Sequence, residues 1–337
     1  MISGMRLLVL GGTNFVGRNI VDEALRRGDD VTTANRGTSG PPSHGVQAIH
    51  ADRRDRQAFA DALGTAEWDA VIDTWPGAPA VVRDSAGLLR DRVGHYGYVS
   101  SRSVHRWPIP AGADESAPLV DGDAGSTTGD DYAAAKRGAE LAVLESFPDR
   151  SLLARAGLIL GPFEDVGRLP WWLEWVSRAG RVPAPGPPGQ NLQYVDARDL
   201  GAWMLDAAAR QVTGAFNTVS RKGHTTMGQL LEACNEVVGQ GAELVWLPPE
   251  TVGDAGASGW SDLPIWVPPG SDLEALHSAD VSAALAAGLR CRPVHETVAD
   301  TWRWLQLSGR PEPRSKRAPV GLTPEVEQAL RSAAARS

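Results

Sequence analysis

Leu7-Leu8-Val9-Leu10-Gly11-Gly12-Thr13-Asn14-Phe15-Val16-Gly17 lies near the start of a 337-residue chain. Its first four residues are apolar without polar alternation, the pattern of a strand buried on both faces. A glycine-bearing turn follows, and Arg18-Asn19-Ile20-Val21-Asp22-Glu23-Ala24-Leu25 then places apolar residues at helical spacing. Strand, tight glycine loop and helix N-terminus together make an anion site, because free backbone N–H groups and the helix dipole converge there. The pyrophosphate of a dinucleotide suits that geometry. Gly11, Thr13, Asn14, Phe15, Val16 and Gly17 are therefore candidate cofactor contacts. Asn14 sits at the centre of the turn, and asparagine tolerates a left-handed backbone better than other non-glycine residues.

The hydrophobic content of 42% is enough for one large or two intimately joined domains. The 41 acidic side chains outnumber the 33 basic ones, giving a net charge of −8. That balance argues against a sequence-independent nucleic-acid binder, which needs a basic face. Cys234 and Cys291 make neither a disulfide framework nor a zinc site, and the seven histidines show no metal-ligand spacing, so no metal is expected. No apolar run approaches a membrane span and no leader precedes the first strand, so a cytoplasmic protein is expected. A small-molecule substrate is the expected partner, and a homodimer is compatible with the sequence.

The chain then alternates. A second strand over 30–34 ends in Asn35-Arg36-Gly37, where NAD-type folds usually carry an acid for the adenosine ribose. With no carboxylate to repel a 2′-phosphate, Asn35 and Arg36 favour NADP over NAD, and Arg18 is a second candidate phosphate partner. The alternative is that both arginines are solvated surface charges. A strand over 46–51 precedes Asp52, a candidate partner for the adenine amino group. A helix over 56–63 and a strand over 68–73 lead to Thr74-Trp75-Pro76-Gly77. Ligands sit at such carboxyl ends in open parallel sheets, so Thr74 is a candidate for cofactor and Trp75 for substrate. A helix over 81–89 and a strand over 96–99 follow, the latter ending in Ser100-Ser101-Arg102-Ser103. This alternation predicts an α/β fold, a Rossmann-type doubly wound parallel sheet covered on both faces.

Residues 108–131 read as a long aperiodic loop, and a strong helix runs over 131–144. A sixth strand is read around 152–160, broken by Gly161-Pro162. A helix over 169–178 carries Trp171, Trp172 and Trp175; 183–189 is proline-rich; 193–196 is a short strand and 199–208 helical. The sheet's last strand is read at 215–219, a helix at 226–238 and a strand at 243–247. Residues 251–270 read as irregular, and helices follow at 281–287 and 295–305. A basic, proline-punctuated linker over 310–319 precedes a last helix with Thr323 as N-cap and Pro324 at its first position. The predicted division is a dinucleotide-binding part over 1–162, to which 193–222 returns, and a smaller, mostly C-terminal substrate-binding part over 163–192 and 223–308. Residues 309–337 form the linker and C-terminal helix.

Tyr132 and Lys136 are four apart and share one helix face. A tyrosine hydroxyl ordinarily ionises near pH 10, and a neighbouring ammonium favours the phenolate. Such a tyrosine can protonate an alkoxide as hydride reaches a carbonyl, or deprotonate an alcohol in reverse. A serine at a neighbouring strand end can orient the same oxygen. Ser101, Tyr132 and Lys136 supply that set, and glycine loop, serine strand end and Tyr-x-x-x-Lys helix appear in this order along the chain.

These motifs resemble a short-chain dehydrogenase/reductase of the extended, epimerase/dehydratase-like type, nearest the atypical branch that includes the chloroplast stem-loop-binding proteins. The resemblance rests on Gly11 to Gly17, Asn35-Arg36-Gly37, Asp52-Arg53-Arg54-Asp55 and Val99-Ser100-Ser101-Arg102-Ser103-Val104. Asp114-Glu115-Ser116-Ala117-Pro118-Leu119, Tyr132 to Lys136, Gly161-Pro162 and Val195-Asp196-Ala197-Arg198-Asp199-Leu200 continue it. It covers about 1–220 and extends more weakly to Leu305. In such enzymes the catalytic serine stands four positions before a tyrosine, here His105, which selects Ser101 over Ser100 and Ser103. Lys136 would also hold the nicotinamide ribose. Two departures stand out. Asn14 replaces the middle glycine, and Leu158 replaces the asparagine that helps sugar-nucleotide epimerases hold their substrate.

Leu158 and the twelve tryptophans, most of them beyond residue 160, point toward an apolar or aromatic substrate, with Trp75, His105, Trp171 and Trp175 as candidate contacts. The competing reading makes the helical tryptophans core and His105 structural. Asp196 and Asp199 read as a turn and a helix cap. The expected activity is NADP(H)-dependent, ketoreductase-like chemistry on a carbonyl of a small aromatic or alicyclic metabolite. The alternatives are a nucleotide-sugar epimerase or dehydratase, and a non-catalytic cofactor-binding protein associated with RNA or regulation.

Overall fold

The computed structural model describes residues 4–38, 40–309 and 320–337; the linker read over 310–319 lies outside the described residues. Its centre is a seven-stranded, all-parallel sheet. The strands are β1 (Arg6–Leu10), β2 (Asp30–Asn35), β3 (Gln47–His50), β4 (Trp68–Asp73), β5 (Val93–Ser101), β6 (Ser151–Ala156) and β11 (Gly214–Thr218). Their spatial order is β11-β6-β5-β4-β1-β2-β3. The order reverses at β1, so a crevice opens at the carboxyl ends of β1 and β4, where doubly wound sheets bind ligands.

The apolar run of β1 explains its central place. Side chains alternate across a strand. Leu7 and Val9 enter a cluster with Ile20, Val21 and Ala24 of α1 (Phe15–Arg27) and Leu200, Trp203 and Met204 of α6 (Ala197–Ala209). Leu8 and Leu10 enter another, with Phe59 of α2 (Arg56–Leu63), Val82 of α3 (Pro79–Leu89) and Ala139 of α4 (Tyr132–Ser146). Over Leu7–Leu10 neither face meets water, and neither carries a polar residue; Arg6, at the exposed start of the strand, pairs with Asp69. Gly28 ends α1 in the left-handed region at φ 83° and returns its N–H to the last turn.

The region read as one strand around 152–160 is two strands. Gly157 separates β6 from β7 (Leu158–Leu160), which pairs instead with β10 (Tyr194–Asp196). A Cβ at Gly157 would stand 2.5 Å from a Val219 methyl, so only glycine lets the chain change sheets there. The proline-rich stretch also holds more order than its composition suggests. β8 (Arg181–Pro185) pairs in parallel with β13 (Glu243–Leu247), and prolines are tolerated because each strand of a two-stranded sheet has a free edge. β9 (Asn191–Leu192) and β12 (Thr225–Thr226) form a further small pair. Within the stretch read as irregular, α8 (Pro249–Asp254) forms a short helix.

The remaining helices are α5 (Arg168–Val176), α7 (Met227–Val238), α9 (Ser282–Ala286), α10 (Val294–Ser308) and α11 (Pro324–Arg336). Helix α7 starts on a reciprocal capping box between Thr226 and Gln229. Helix α6 starts at Ala197, and its cap is Asp196, which accepts from the Arg198 N–H. Asp199 is therefore not the cap; it lies in the first turn and pairs with Arg292 at 2.6 Å. A third cluster joins α5, α7, β8, β13, α10 and α11 around Trp171, Trp172, Trp175 and Trp266.

Candidate active site

A cavity of about 1010 Å³ opens over the carboxyl ends of β1, β2, β4 and β5. At its base the chain leaves β1 through Gly11 (φ +120°) and Gly12 (φ +94°), both in the glycine region. A Cβ on Gly12 would stand 2.7 Å from a Thr33 methyl, and one on Gly17 2.7 Å from the Gly12 nitrogen. Loop and helix thus approach more closely than side chains permit. Asn14 is not the left-handed residue of this turn. It is extended (φ −123°), as N-cap positions are, and Phe15 carries the positive φ of 26°. The Asn14 side chain does not cap the helix, so the first-turn N–H groups of α1 remain available where Asn14 to Gly17 line the cavity. A glycine cradle facing an uncapped helix end fits a dinucleotide pyrophosphate.

Asn35 ties the β2 tip to this loop, donating to the Gly11 carbonyl at 3.0 Å and accepting from the Gly37 N–H at 2.8 Å. Arg36 lies exposed on the cavity rim. Asp52 also lines the cavity, its carboxyl held down at about 2 by Arg54, 2.6 Å away. Thr74 donates to the Leu10 carbonyl at 3.0 Å and fills the space a Cβ on Gly11 would need. Arg18 does not line the cavity. Its guanidinium grips Asp22 at 3.0 Å and stacks over Phe163, so the i,i+4 carboxylate takes the charge that a phosphate was expected to take.

Ser101, Tyr132 and Lys136 all line the cavity. Ser101 ends β5, caps the following 3₁₀ turn through the Ser103 N–H and donates to Ser103 Oγ at 3.1 Å. Ser100 is committed elsewhere: its hydroxyl donates to Glu140 at 2.7 Å, within a buried Glu140–Arg155 pair. Tyr132 opens α4, which Asp131 caps, and the residue is 42% exposed. Lys136, one turn further on, is only 3% exposed. It donates to the carbonyls of Val99 (2.7 Å) and Trp75 (3.0 Å) and to the Tyr98 hydroxyl (3.1 Å). Burial pushes its ammonium down to about 8, against the opposing pull of Asp73 and Glu140.

Beneath Trp75 lies an ion pair the sequence reading did not single out. Arg53 binds Asp73 through two bonds of 2.7 Å, and both residues are buried. Asp73 also accepts from the Tyr96 hydroxyl and the Trp75 N–H. The signal was present in Asp52-Arg53-Arg54-Asp55 and in an acid at a strand end.

The substrate side departs most from expectation. Trp175 is 1% exposed, stacks on Trp171 at 5.0 Å and donates to the Pro183 carbonyl. Neither Trp171 nor Trp175 lines the cavity; both are core. His105 also stays out of the wall, with its ring nitrogens facing Asn217 and the Ala117 carbonyl, and burial pushes its imidazole down. The tryptophans at the cavity are Trp75, Trp107 and Trp260. Arg102, Asp165, Val166, Arg168 and Leu276 join them, with the Arg168 guanidinium 5.1 Å from the Trp260 ring centroid. Arg102 donates to the Leu276 and Ala275 carbonyls, and burial pushes it down to about 10. Leu158 is itself part of the wall. Among the described residues, no group of three or more His, Cys, Asp or Glu side chains is placed to hold a metal, and no helix is long and apolar enough to cross a membrane.

Solved structures with the same architecture include UDP-glucose 4-epimerase from Thermotoga maritima with UDP-glucose. It is 18% identical, with 90% of this chain and 99% of that one covered and a TM-score of 0.62. WbmH of Bordetella bronchiseptica, in complex with NAD+, is 16% identical over 90% and 99% of the chains, with a TM-score of 0.65. UDP-N-acetylglucosamine 4-epimerase from Methanobrevibacter ruminantium, with UDP-N-acetylmuramic acid, is 17% identical over 91% and 99%, with a TM-score of 0.64. No curated protein sequence matches the chain. The sequence model of the NAD-dependent epimerase/dehydratase family matches residues 7–218, well over half the chain, and the chain belongs to that family.

Proposed function

We propose that the protein is a nicotinamide-dinucleotide-dependent epimerase or dehydratase of a nucleotide sugar, working through reversible oxidation of a carbinol carbon. The observation that carries the proposal is the meeting, in one cavity, of an uncapped glycine-loop helix end with Ser101, Tyr132 and Lys136. A bound nicotinamide would supply hydride transfer to and from the substrate carbon. Asn14 to Gly17 would hold the pyrophosphate on backbone N–H groups, while Thr74 and Asn35 keep the loop in shape. Tyr132 would take the proton from the substrate hydroxyl and return it. The Lys136 ammonium would stabilise negative charge on the Tyr132 oxygen and reach the ribose. Ser101 would turn its hydroxyl from Ser103 to the substrate oxygen. Arg36, on a rim whose β2 tip carries no acid, supports NADP over NAD.

The family match and the bound ligands of the structural relatives support the nucleotide sugar. With Trp171 and Trp175 in the core, an aromatic substrate loses two of its expected contacts. Leu158 in the wall, beside Trp75, Trp107 and Trp260, favours a second reading, reduction of a carbonyl on an apolar or aromatic metabolite. Incubation with UDP-sugars and a catalytic amount of cofactor, followed by separation of the epimers, tests the first reading. Stoichiometric NADPH consumption by a ketone or aldehyde, with no interconversion of any sugar, would replace it with the second.

A further inference from the structure

An ammonium has three N–H donors and no acceptor. In Lys136 all three are engaged, and two of the bonds converge. The Trp75 carbonyl accepts from Lys136 at 3.0 Å and also from the Tyr98 hydroxyl at 2.9 Å, while that hydroxyl itself accepts from Lys136 at 3.1 Å. The ammonium stands 4.6 Å from the Tyr98 ring centroid. On its other side the Trp75 N–H is held at 2.9 Å by Asp73. A wall residue of the cavity is thus pinned at both backbone groups by buried side chains.

This closed triangle matters once a ligand hydroxyl reaches Lys136, because a saturated ammonium must then release a partner. The Trp75 carbonyl holds two donors, so the lysine can leave it without orphaning a buried acceptor, provided Tyr98 stays. We propose that Tyr98 is a positioning residue of this site: its hydroxyl holds both the Lys136 ammonium and the Trp75 carbonyl, so that the lysine can turn to a ligand hydroxyl while the Trp75 wall stays in place. The proposal deepens, and rests on, the reading of the cavity as a dinucleotide site. The titratable groups around Lys136 are Asp73 on β4, Tyr98 on β5, and Tyr132 and Glu140 on its own helix, with Arg53 pairing Asp73 from behind.

The test uses Tyr98→Phe in the full chain, which keeps the ring and removes the hydroxyl. The chain has three lysines, Lys136, Lys222 and Lys316, so ¹³Cε resonances follow each one through a pH titration. Loss of an acceptor for the charged form should lower the Lys136 midpoint by about one pH unit, with Lys222 and Lys316 unmoved. A role confined to stability would leave the midpoint where it is, and that result overturns the proposal. Wild-type protein supplies an independent reading should the variant not fold. NADPH should shift the Lys136 resonance while amide exchange at Trp75, whose N–H Asp73 holds, stays slow. A shifted lysine with fast exchange at Trp75, or bound NADPH with an unmoved lysine, removes Tyr98 from the site but leaves the dinucleotide reading standing. Failure to bind either NADPH or NADH ends both.

Discussion

Tyr132 is the exposed member of a set whose other two members are buried, so its hydroxyl can be removed with little structural cost. Tyr132→Phe should leave the fold and NADPH affinity unchanged while kcat falls by roughly 10²–10⁴, the usual worth of positioned proton transfer. Steady-state kinetics beside a fluorescence titration of NADPH checks this. Wild-type turnover in a variant whose chemistry limits the rate would remove Tyr132 from the mechanism. Arg36 carries the cofactor preference with less support, because Arg18, the second guanidinium expected to help, is held by Asp22. Arg36→Asp should weaken NADPH relative to NADH by about tenfold, equivalent to ~1.4 kcal/mol. Equal NADPH and NADH affinities in the wild type would already refute the preference.

Helix α5 joins the cavity wall to the tryptophan-rich core, and its start depends on an acid that the chain buries. Glu164 accepts from the N–H groups of Arg168 and Leu169, yet burial pushes its carboxyl up to about 7 from an ordinary 4.5. The folded protein then binds the proton more tightly than the unfolded chain between those values. Stability from this group is complete below about pH 4.5 and is lost as the pH rises through about 7, by roughly 3 kcal/mol at most. Urea melts at pH 5 and pH 8 should show that loss in the wild type and little of it in Glu164→Gln; equal pH dependence in both would dismiss the assignment. The same scale shows what the sequence made legible. β1, its turn and α1 could be read because a strand buried on both faces leaves an uninterrupted apolar run, and Tyr132 and Lys136 because helical spacing alone aligns them. Strand β8 was hidden because its order comes from β13, some sixty residues later, and not from its own prolines. The break at Gly157 was hidden because only the Val219 methyl beside it reveals why a side chain is excluded. Arg102 and the Arg53–Asp73 pair were missed because their partners meet only once the sheet has formed.

At the scale of the whole molecule, the tryptophans divide into those that reach the cavity and those that fill the core. Those on helix α5 fall into the third cluster, while Arg168 of the same helix reaches the cavity, so their spacing gives no hint of which side chains line it. Trp75, Trp107 and Trp260 stand on loops at the cavity. Trp266, also on a loop, is core instead, its indole N–H donating to the Gly186 carbonyl, so the place a loop takes in the assembled fold decides which indoles reach the cavity. This division yields opposite expectations for two variants of the same chemistry. Trp175→Ala removes a ring flanked by Arg178 and Arg331, each 4.9 Å from its centroid, and should cost about 3–5 kcal/mol of stability. Ligand affinity in its folded fraction should not change. Trp260→Ala removes a half-buried ring stacked by Arg168 at the wall, so stability should fall less while binding of UDP-glucose or of an aromatic ketone weakens severalfold. NADPH affinity, set at the far end by the glycine loop, should be the same in both variants. Thermal melts and ligand titrations on the pair decide the matter: if Trp175→Ala weakens ligand binding in folded protein and Trp260→Ala does not, the substrate wall has been assigned to the wrong tryptophans.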